Sequence, residues 1–389
     1  MRFPFFSSNK DRYILEYSEL PIRLTRVRVS DGGFEVLEAL SFDGKEAMSA
    51  FLEKRPLPKA AQILCVYHRP LAATFTASVR LERGGAASSI KESDVESFLA
   101  HATSQFFNRF REEARRALRA EDVNVVLANN RFFNIRLDGK NVVNPLGLKA
   151  RSAELEMEQT FLFREVLDFL HDILPEQARL FHIDESAVAK DMLLRAYAED
   201  RIILSMVGRR RTDFFSFGGK NRYFGAVSFP MLMERGSFEW GYGAIEDAMQ
   251  KRFGVSRVAA ANLLALYAGG GVSQHFARGI EKAIAEERSV FVREAKKALK
   301  KETRVVVISA TPFFAAHSNE DGVMFKSPLM HDVAALYGMS FSINTDIVRE
   351  ALSPLLPATL IAYGARTGDN YLHLHAKKRM EWLKPINSA

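Results

Sequence analysis

Hydrophobic and polar positions alternate along the first part of the chain with the period of a β-strand. Residues 13–29 are rich in branched and aromatic side chains, Asp31-Gly32-Gly33 follows as a turn, and residues 34–42 are again extended. Two extended segments joined by an Asp-Gly turn predict a β-hairpin. The same unit is expected to contain one short helix and two further strands, over residues 47–54, 63–68 and 74–81.

A helical period appears after a small, glycine-rich boundary at residues 83–89. Apolar residues recur from Val95 to Phe110 at helical spacing, and Ser93-Asp94-Val95-Glu96 supplies a start signal, so we expect a helix over residues 89–120. The pattern then predicts paired strands at 123–128 and 132–137, a turn at 138–140, a loop at 144–148, an extended segment at 153–163, and helices at 165–174 and 185–197.

The opening pattern returns in the second half of the chain. A strand–hairpin unit occurs near residues 13–42 and again near residues 201–229, which predicts an α/β protein with two similar lobes facing each other across a cleft. The elements expected in this half are strands at 201–207, 212–217, 223–229 and 304–309, a turn at 218–221, helices at 241–253, 258–267, 273–300, 328–337 and 347–352, and an apolar segment at 357–364.

Four stretches of the first half carry a resemblance to a known family. They are Ile90-Lys91-Glu92-Ser93-Asp94-Val95 at the start of a helix, Phe133-Asn134-Ile135-Arg136-Leu137-Asp138-Gly139, Asn144-Pro145-Leu146-Gly147-Leu148, and Ala153-Glu154-Leu155-Glu156. In this order they are similar to the inserted subdomain of FtsA, the family of actin-like cell-division proteins that anchors the division ring to the membrane. The pilus platform family PilM has a related insert and is the second choice.

The resemblance implies an actin-like, ribonuclease-H-like fold of duplicated α/β lobes with an FtsA-type inserted subdomain. It also implies a division of the chain into a first lobe, an insert, a second lobe, a helical subdomain of that lobe, and a linker with a C-terminal tail. The respective ranges are residues 1–86 plus 161–198, 87–160, 199–230 plus 303–365, 231–302, and 366–389.

The first phosphate turn of the actin-like family departs from its pattern here. An actin-like ATPase holds Mg²⁺ and ATP with glycine-rich turns, acidic residues and polar side chains. The first turn, usually Asp-x-Gly-Thr/Ser, matches Glu16-Tyr17-Ser18-Glu19, so a glutamate replaces the aspartate and no glycine remains. Without glycine the turn does not easily approach a phosphate, and Glu19 would repel one.

The other nucleotide motifs depart from the pattern as well. The second phosphate turn matches the run Met206, Val207, Gly208, Arg209, Arg210, Arg211, Thr212 and Asp213, in which the Mg²⁺-side aspartate has become Met206. The polar positions of the ribose helix match Ala261 and Leu264, and the adenine-side turn matches Ser309-Ala310-Thr311. The resemblance therefore implies a pseudo-ATPase with no cofactor and no metal site, with Mg-ATP binding as the alternative. The three arginines either bind an anion without a metal, or they pair with acidic residues across the cleft or face water.

The C-terminal tail suggests an amphipathic helix. Residues 371–386 place Tyr371, Trp382 and Leu383 on one side of a helical wheel and Lys377 and Lys384 on the other. Such a helix suits a membrane interface. The alternative is a final helix that packs on the surface of the protein itself.

Composition and charge narrow the classes of function. The chain carries 54 basic and 47 acidic side chains, a net charge of +7, and one cysteine, Cys65. These values exclude a disulfide framework and a cysteine-based metal cluster. There is no Gly-x-Ser-x-Gly elbow, His-Glu-x-x-His motif or Walker phosphate loop. No apolar stretch reaches the ~18 residues of a spanning helix, so we expect a cytoplasmic protein, either in solution or peripheral on the inner membrane.

Three functions compete at this point. The first is an FtsA-like division scaffold that self-assembles and binds a division-ring or inner-membrane protein, and an anionic membrane surface. The second is a PilM-like pilus or secretion platform that binds a peptide of a membrane partner. The third is an active actin-like ATPase, which Met206, Ala261 and Leu264 disfavour. A nucleic-acid partner is not expected, because the basic run at the end of the long helix complements the helix dipole.

Overall fold

The computed structural model describes most of the chain up to residue 343. The described residues are 10–17, 21–30, 33–68, 71–84, 87–119, 121, 124–142, 144–188, 201–208, 210–224, 227–268, 271–299, 304–309, 317–320, 323–326, 340–343, 356 and 359–360. The predicted helices at 328–337 and 347–352 and the whole tail lie outside them. The predicted helix at 185–197 is described only for residues 185–188, which are helical.

The described chain forms strands and helices in a mixed α/β order. The helices are α1 Lys45–Lys54, α2 Glu92–Leu118, α3 Arg164–Ile173, α4 Gly243–Phe253, α5 Arg257–Ala268 and α6 Gln274–Leu299. The strands are β1 Lys10–Tyr17, β2 Ile22–Ser30, β3 Gly33–Phe42, β4 Gln62–Tyr67, β5 Ala72–Glu82, β6 Ser88–Ser89, β7 Val125–Leu137, β8 Lys140–Val142, β9 Lys149–Ala150, β10 Ser152–Phe163, β11 Arg179–Asp184, β12 Arg201–Val207, β13 Thr212–Phe224, β14 Val227–Phe238, β15 Arg304–Ser309, β16 His317–Glu320, β17 Val323–Lys326 and β18 Ser340–Ile343.

Five strands of each of the two six-stranded sheets share one topology. The first sheet has the order β11-β4-β1-β2-β3-β18, and the second has the order β14-β13-β12-β15-β17-β16. In each sheet an antiparallel meander of three strands comes first, and two later strands add in parallel beside its first strand. The duplication agrees, at the level of strand order and direction, with the predicted pair of ribonuclease-H-like lobes.

The first sheet and its helices share one apolar core. Tyr13, Leu15 and Tyr17 of β1 point to the face covered by α1 and α3, where Met48 and Val166 are fully buried. The second sheet packs in the same way against α4, α5 and α6, with Phe291 and Phe325 at the centre.

A third, four-stranded sheet of order β5-β10-β7-β8 lies between β4 and α3 in the sequence. Helix α2 covers one of its faces with residues at helical spacing, namely Val95, Leu99, Ala102, Phe106, Phe110, Ala114 and Leu118. A hydrogen bond from the backbone N–H of Lys91 to the Asp94 carboxylate stabilises the start of the helix. The predicted turn at Asp138-Gly139 joins β7 to β8 and has the left-handed backbone that such a turn requires.

The structure corrects one predicted pair of strands and one predicted turn. Residues 125–137 form one strand, β7, and not two paired strands, because Asn129 and Asn130 bond to neighbouring elements instead of turning the chain. Gly218-Gly219-Lys220-Asn221 lies within strand β13, which continues to Phe224 and shifts register against β14 after Gly218. Turn-forming residues thus occur inside long strands, where cross-strand pairing outweighs their local preference.

Two assignments to lobes also change. Residues 72–82 form β5 of the four-stranded sheet, although the sequence placed them in the first lobe. Strand β18 pairs in parallel with β3 of the first sheet, although residues 303–365 were assigned to the second lobe. The other predicted domain boundaries stay predictions.

Candidate functional site

The carboxyl ends of three parallel strands meet at one edge of the first sheet. Tyr17 of β1 pairs with Tyr67 of β4, and Tyr67 pairs with Asp184 of β11. His68 and Glu185 follow β4 and β11 directly. Ligands of open α/β sheets bind at this edge. The edge is therefore the first candidate site.

Four charged side chains form a cluster at this edge, which we call the first-sheet cluster: Glu16, Arg23, His68 and Glu185. His68 Nδ1 lies 2.6 Å from Glu185 Oε2, and Arg23 lies 3.7 Å from Glu16. Both glutamate side chains are almost fully buried, at 3% and 2% exposure. Among the described residues, no hydrogen-bond donor reaches the Glu16 carboxylate and no acceptor reaches His68 Nε2 or Arg23 Nε.

The electrostatics of the cluster favour a protonated His68. Burial lowers the pKa of His68, but the carboxylates of Glu185 and Glu16 raise it more strongly, while Arg23 lowers it again slightly. The net effect is a raised pKa. With His68 protonated, two carboxylates face two cations, so the buried charges balance.

Asp184 fastens this edge to the four-stranded sheet. Its carboxylate accepts hydrogen bonds from the backbone N–H of Thr74 at 2.7 Å and of Ala187 at 2.8 Å, and from the Ser186 hydroxyl at 2.6 Å. The backbone N–H of Asp184 in turn donates to the Thr74 hydroxyl at 3.1 Å. Asp184 therefore caps the helical turn 185–188 and holds β5 at the same time.

A buried histidine lies beside this junction. The Tyr67 hydroxyl and His182 Nδ1 share a hydrogen bond of 2.6 Å, and the backbone carbonyl of His182 accepts bonds from Thr160 and Asn129. Burial lowers the pKa of His182 to about 3. The imidazole is therefore neutral at physiological pH.

The lowered pKa of His182 leads us to expect that the protein loses stability in acid. The unfolded chain protonates this histidine below its ordinary pKa of about 6.5, whereas the folded chain stays neutral down to about 3. The free energy of unfolding should fall by up to about 1.4 kcal/mol per pH unit below pH 6.5 from this group alone. Urea denaturation at pH 6.5 and pH 5 measures the loss.

The variant His182→Gln isolates this contribution because its side chain does not titrate. We expect its stability to change by roughly 2 kcal/mol less than that of the wild type between pH 6.5 and pH 5. His101→Gln, on the exposed surface of α2, is the control and should keep the wild-type slope. Equal slopes for His182→Gln and the wild type would contradict the prediction.

The second candidate site is the turn between β12 and β13. The backbone N–H of Gly208 donates to the carbonyl of Arg211 at 3.0 Å, and the carbonyl of Gly208 accepts from the N–H of Tyr242 at 3.0 Å. A side chain on Gly208 would approach the Arg211 carbonyl to 3.0 Å. Met206 lies in the sheet, largely buried, opposite Asp213. The backbone groups of Gly208 are thus engaged within the protein.

The arginines of this turn are placed differently from one another. Arg211 forms an ion pair with Asp213, two residues further along β13, with Nε 3.1 Å from Oδ2. Arg210 is exposed, and Arg209 lies outside the described residues. The Thr212 hydroxyl donates to the Trp240 carbonyl at 2.8 Å and is buried. Arg211 thus pairs with an acidic residue of its own hairpin, and the expected pairing across the cleft stays a prediction.

The positions expected around the ribose and adenine lie on α5 and β15. Leu264 is buried in the core of the second sheet, at 5% exposure, and Ala261 is half-buried. Ser309 ends β15 and pairs with Val207 at the end of β12, so the structure brings these two strand ends together. Ala310 and Thr311 lie outside the described residues, as do Ser18 and Glu19 of the first turn.

The sequence missed the first-sheet cluster except for Glu16. Strand β11 was not predicted, although Leu180-Phe181-His182-Ile183 is a short, mostly apolar run before two acidic residues. Polar residues directly after buried strands, such as His68 and Glu185, were the available signal. The described residues contain no group of three or more His, Cys, Asp or Glu side chains arranged to hold a metal. Tail residues Tyr371, Lys377, Trp382, Leu383 and Lys384 lie outside the description.

Comparison with known proteins gives distant likenesses only. No protein-family model matches the chain, and no curated protein matches its sequence. A PilM–PilN type IV pilus biogenesis complex is similar at 11% identity and a TM-score of 0.47, over 92% of this chain and 100% of the other. A Bacteroides thetaiotaomicron protein described as having an actin-like ATPase fold and unknown function is 11% identical over 92% and 98% of the two chains, with a TM-score of 0.35.

The cytoplasmic domain of EpsL, an inner-membrane component of the type II secretion system of Vibrio cholerae, is 8% identical. The match covers 82% of this chain and 89% of the EpsL chain, with a TM-score of 0.35. At these scores the likenesses decide nothing about function. None of the helices in the described ranges has the length and apolar character needed to cross a membrane.

Proposed function

We propose that this protein is an actin-fold scaffold that does not hydrolyse ATP and that acts at the cytoplasmic face of a membrane by binding other proteins. The duplicated strand order supports the fold. The observation that carries the proposal is the turn between β12 and β13. Its Gly208 N–H donates to Arg211 inside the protein, and Arg211 pairs with Asp213.

We infer that the described residues of the two turns do not suit magnesium and a triphosphate. A phosphate needs free backbone N–H groups or cations, and a magnesium ion needs carboxylate or water oxygens. In the second sheet the position of the Mg²⁺-side carboxylate is held by largely buried Met206. In the first sheet the charge of Glu16 is balanced by Arg23. The scaffold therefore works without nucleotide chemistry.

Titration calorimetry of the full chain with Mg-ATP tests this proposal. We expect no heat of binding at micromolar nucleotide and no phosphate release above the buffer rate. An actin-fold ATPase run in the same buffer is the control for the assay. A micromolar dissociation constant, or turnover that follows the protein through purification, would reverse the conclusion.

For the finer function we propose an FtsA-like role in cell division, with self-assembly on the membrane. The loop that carries the family resemblance supports it. Asn144 Oδ1 accepts from the N–H of Leu146 at 3.0 Å, and the N–H of Gly147 donates to the carbonyl of Ile90 at 2.9 Å. The N–H of Ile90 donates to the carbonyl of Leu148 at 2.9 Å. The loop and the start of α2 are thus joined by backbone hydrogen bonds.

A PilM-like platform that binds a peptide of a membrane protein is the second candidate. The four-stranded sheet favours it, because the described strands β5 and β8 form its two edges. An extended peptide can add as a further strand at a sheet edge through backbone hydrogen bonds. The face away from α2 is a poorer candidate, since Glu156 and Glu158 are buried there and paired with arginines.

Deleting residues 371–389 separates the two roles. The FtsA-like role predicts that the full chain binds anionic liposomes, assembles on lipid monolayers in electron microscopy, and loses both properties on deletion. A chain that never binds lipid, or that binds it equally well after the deletion, would remove the membrane-anchor role and leave the platform role.

A further inference from the structure

Helix α5 is apolar on all sides. Over residues 258–268 it carries no charged side chain, and only Asn262 and Tyr267 have polar groups. One side packs into the core of the second sheet through Ala260 and Leu264, which are buried. A helix that is hydrophobic all round is normally covered on every side. The side of α5 that faces away from the core is therefore expected to bind a partner.

The outer side of α5 carries a row of residues that we call the α5 stripe: Val258, Asn262 and Leu266. They follow one another at intervals of four, so they lie on one ridge of the helix. All three are exposed, Val258 at 72% and Leu266 at 52%. Ala261 lies half-buried beside this ridge, and its small side chain lets a second helix approach closely. The α5 stripe is thus suited to pack against another helix.

The charges around the α5 stripe favour a protein partner over a lipid surface. A helix that lies in a membrane interface carries several Lys or Arg residues on its polar face, whereas the only charged residue of α5 is Arg257. Its guanidinium lies 3.1 Å from Glu246 and 3.8 Å from Asp247, so its charge is balanced within the protein. A neutral stripe also meets a copy of itself without repulsion between like charges.

The α5 stripe is complementary to itself. It is apolar at both ends and has an amide at its centre. Two antiparallel copies related by a two-fold axis at Asn262 therefore bring Val258 of each chain against Leu266 of the other. At the axis the Asn262 amide of each copy donates to the side-chain carbonyl oxygen of the other, because a carboxamide carries both groups. Antiparallel helices also place opposite ends of their dipoles side by side.

We propose that α5 forms the contact of a two-fold symmetric dimer of this protein, in which the α5 stripes of two copies pack antiparallel across Asn262. A contact between two 12-residue helices is smaller than the roughly 1,200–2,000 Å² of a stable interface, so the dimer is weak. The dimer rests on the self-assembly in the proposed function and names the surface for it. It needs neither lipid nor nucleotide, so its failure is distinguishable from failure of the liposome and calorimetry tests.

Self-crosslinking of the full chain with Asn262→Cys tests the axis. A residue on a two-fold axis faces its own counterpart, so this thiol should form a disulfide-linked dimer under mild oxidation. The rate should be at least about tenfold higher than for Asn108→Cys, an exposed control position on α2. The native Cys65 is fully buried and stays out of the reaction. Equal rates for the two variants overturn the proposal.

Charge substitutions test the direction of packing. Sedimentation velocity of the wild-type chain should show a monomer–dimer equilibrium. Val258→Glu alone and Leu266→Lys alone should each weaken the dimer at least about tenfold, since each puts an unpaired charge into an apolar contact. Both positions are exposed, so the variants should fold. Val258→Glu combined with Leu266→Lys sets opposite charges face to face in the antiparallel pair and should recover most of the association. No recovery contradicts the antiparallel arrangement.

Other occupants of the α5 stripe would give different results. A wild-type chain that stays monomeric up to several hundred micromolar overturns the proposal. If its Asn262→Cys variant crosslinks quickly only after residues 371–389 are deleted, the tail covers the stripe instead. Vesicle binding by the monomer that Leu266→Lys abolishes would assign the stripe to lipid. A dimer that Val258→Glu leaves unchanged would place the contact on another surface, and this result also overturns the proposal.

Discussion

Replacing Arg136 with methionine is expected to lower the free energy of unfolding by about 3–5 kcal/mol, because it removes the cation beside a buried carboxylate. Glu156 is 1% exposed and lies 3.0 Å from Arg136 Nη2. The same guanidinium lies 3.7 Å from Glu154, and its Nε donates to the Asn141 side chain at 3.0 Å. Methionine fills similar space but balances no charge. Chemical denaturation at neutral pH measures the difference.

The double variant Arg136→Met, Glu156→Gln identifies the cause. Removing the charge of Glu156 should recover a large part of the lost stability, because the cost arises from a buried carboxylate that has lost a neighbouring cation. Arg116→Met on the exposed side of α2, which pairs with Glu112 at 3.8 Å, is the matched control and should change stability by less than about 0.5 kcal/mol. A loss below about 1 kcal/mol for Arg136→Met would show that the charge pair is not a major source of stability.

The substitution Gly33→Ala is expected to separate β18 from the first sheet. A methyl group at Gly33 would lie 2.3 Å from the backbone oxygen of Ser340 and 2.1 Å from its Oγ. A flexible side chain can rotate away, but the backbone of a paired strand cannot move without breaking its hydrogen bonds. We expect a loss of about 1–3 kcal/mol or more in the free energy of unfolding.

Hydrogen exchange of residues 340–343 in Gly33→Ala locates the effect. These amides should exchange faster while those of β1 and β4 keep their protection. Gly84→Ala is the control, since an added methyl group there meets no atom within 4 Å. If Gly33→Ala kept both its stability and the protection of residues 340–343, the close approach of the two strands would be wrong.

Gly33 also shows that an interpretation based on neighbouring residues can assign a residue the wrong role. The sequence assigned this glycine to the turn that follows Asp31. In the structure it begins β3 and pairs with Ser30, and its lack of a side chain serves the contact with β18. The turn assignment used residues next to it in the chain, whereas the real constraint comes from a strand about 300 residues away.

Strand β7 shows the same limit of an interpretation based on neighbouring residues. The predicted strands at 123–128 and 132–137 left the polar run Asn129-Asn130-Arg131 between them. Each of these side chains finds a partner across the fold: the His182 carbonyl, the Thr103 hydroxyl and the Glu158 carboxylate. Polar residues inside a strand are therefore compatible with a sheet when tertiary neighbours satisfy them. No periodicity in the chain reports those neighbours.

The residues of the candidate site likewise fall into those that the sequence identified and those that it missed. Glu16, Met206 and Gly208 were found from the sequence because each stands in a motif with fixed spacing. His68 and Glu185 were not, since they are 117 residues apart and meet only through the parallel pairing of β4 and β11. The opposite pKa changes of His68 and His182 could not be predicted from the sequence either, because their causes, burial and neighbouring carboxylates, exist only in the folded chain.

The sequence by itself determined the described helices and the repetition of a strand unit in the two halves of the chain, whereas the loss of the nucleotide motifs stays a prediction. These features depend on residues within a few positions of one another, where backbone preference and hydrophobic period act directly. Only the tertiary structure decided which sheet received β5 and β18, how far the strands run, and which charges share the edge of the first sheet. Those outcomes depend on contacts between distant segments, whose energies of burial and pairing arise only once the chain has folded.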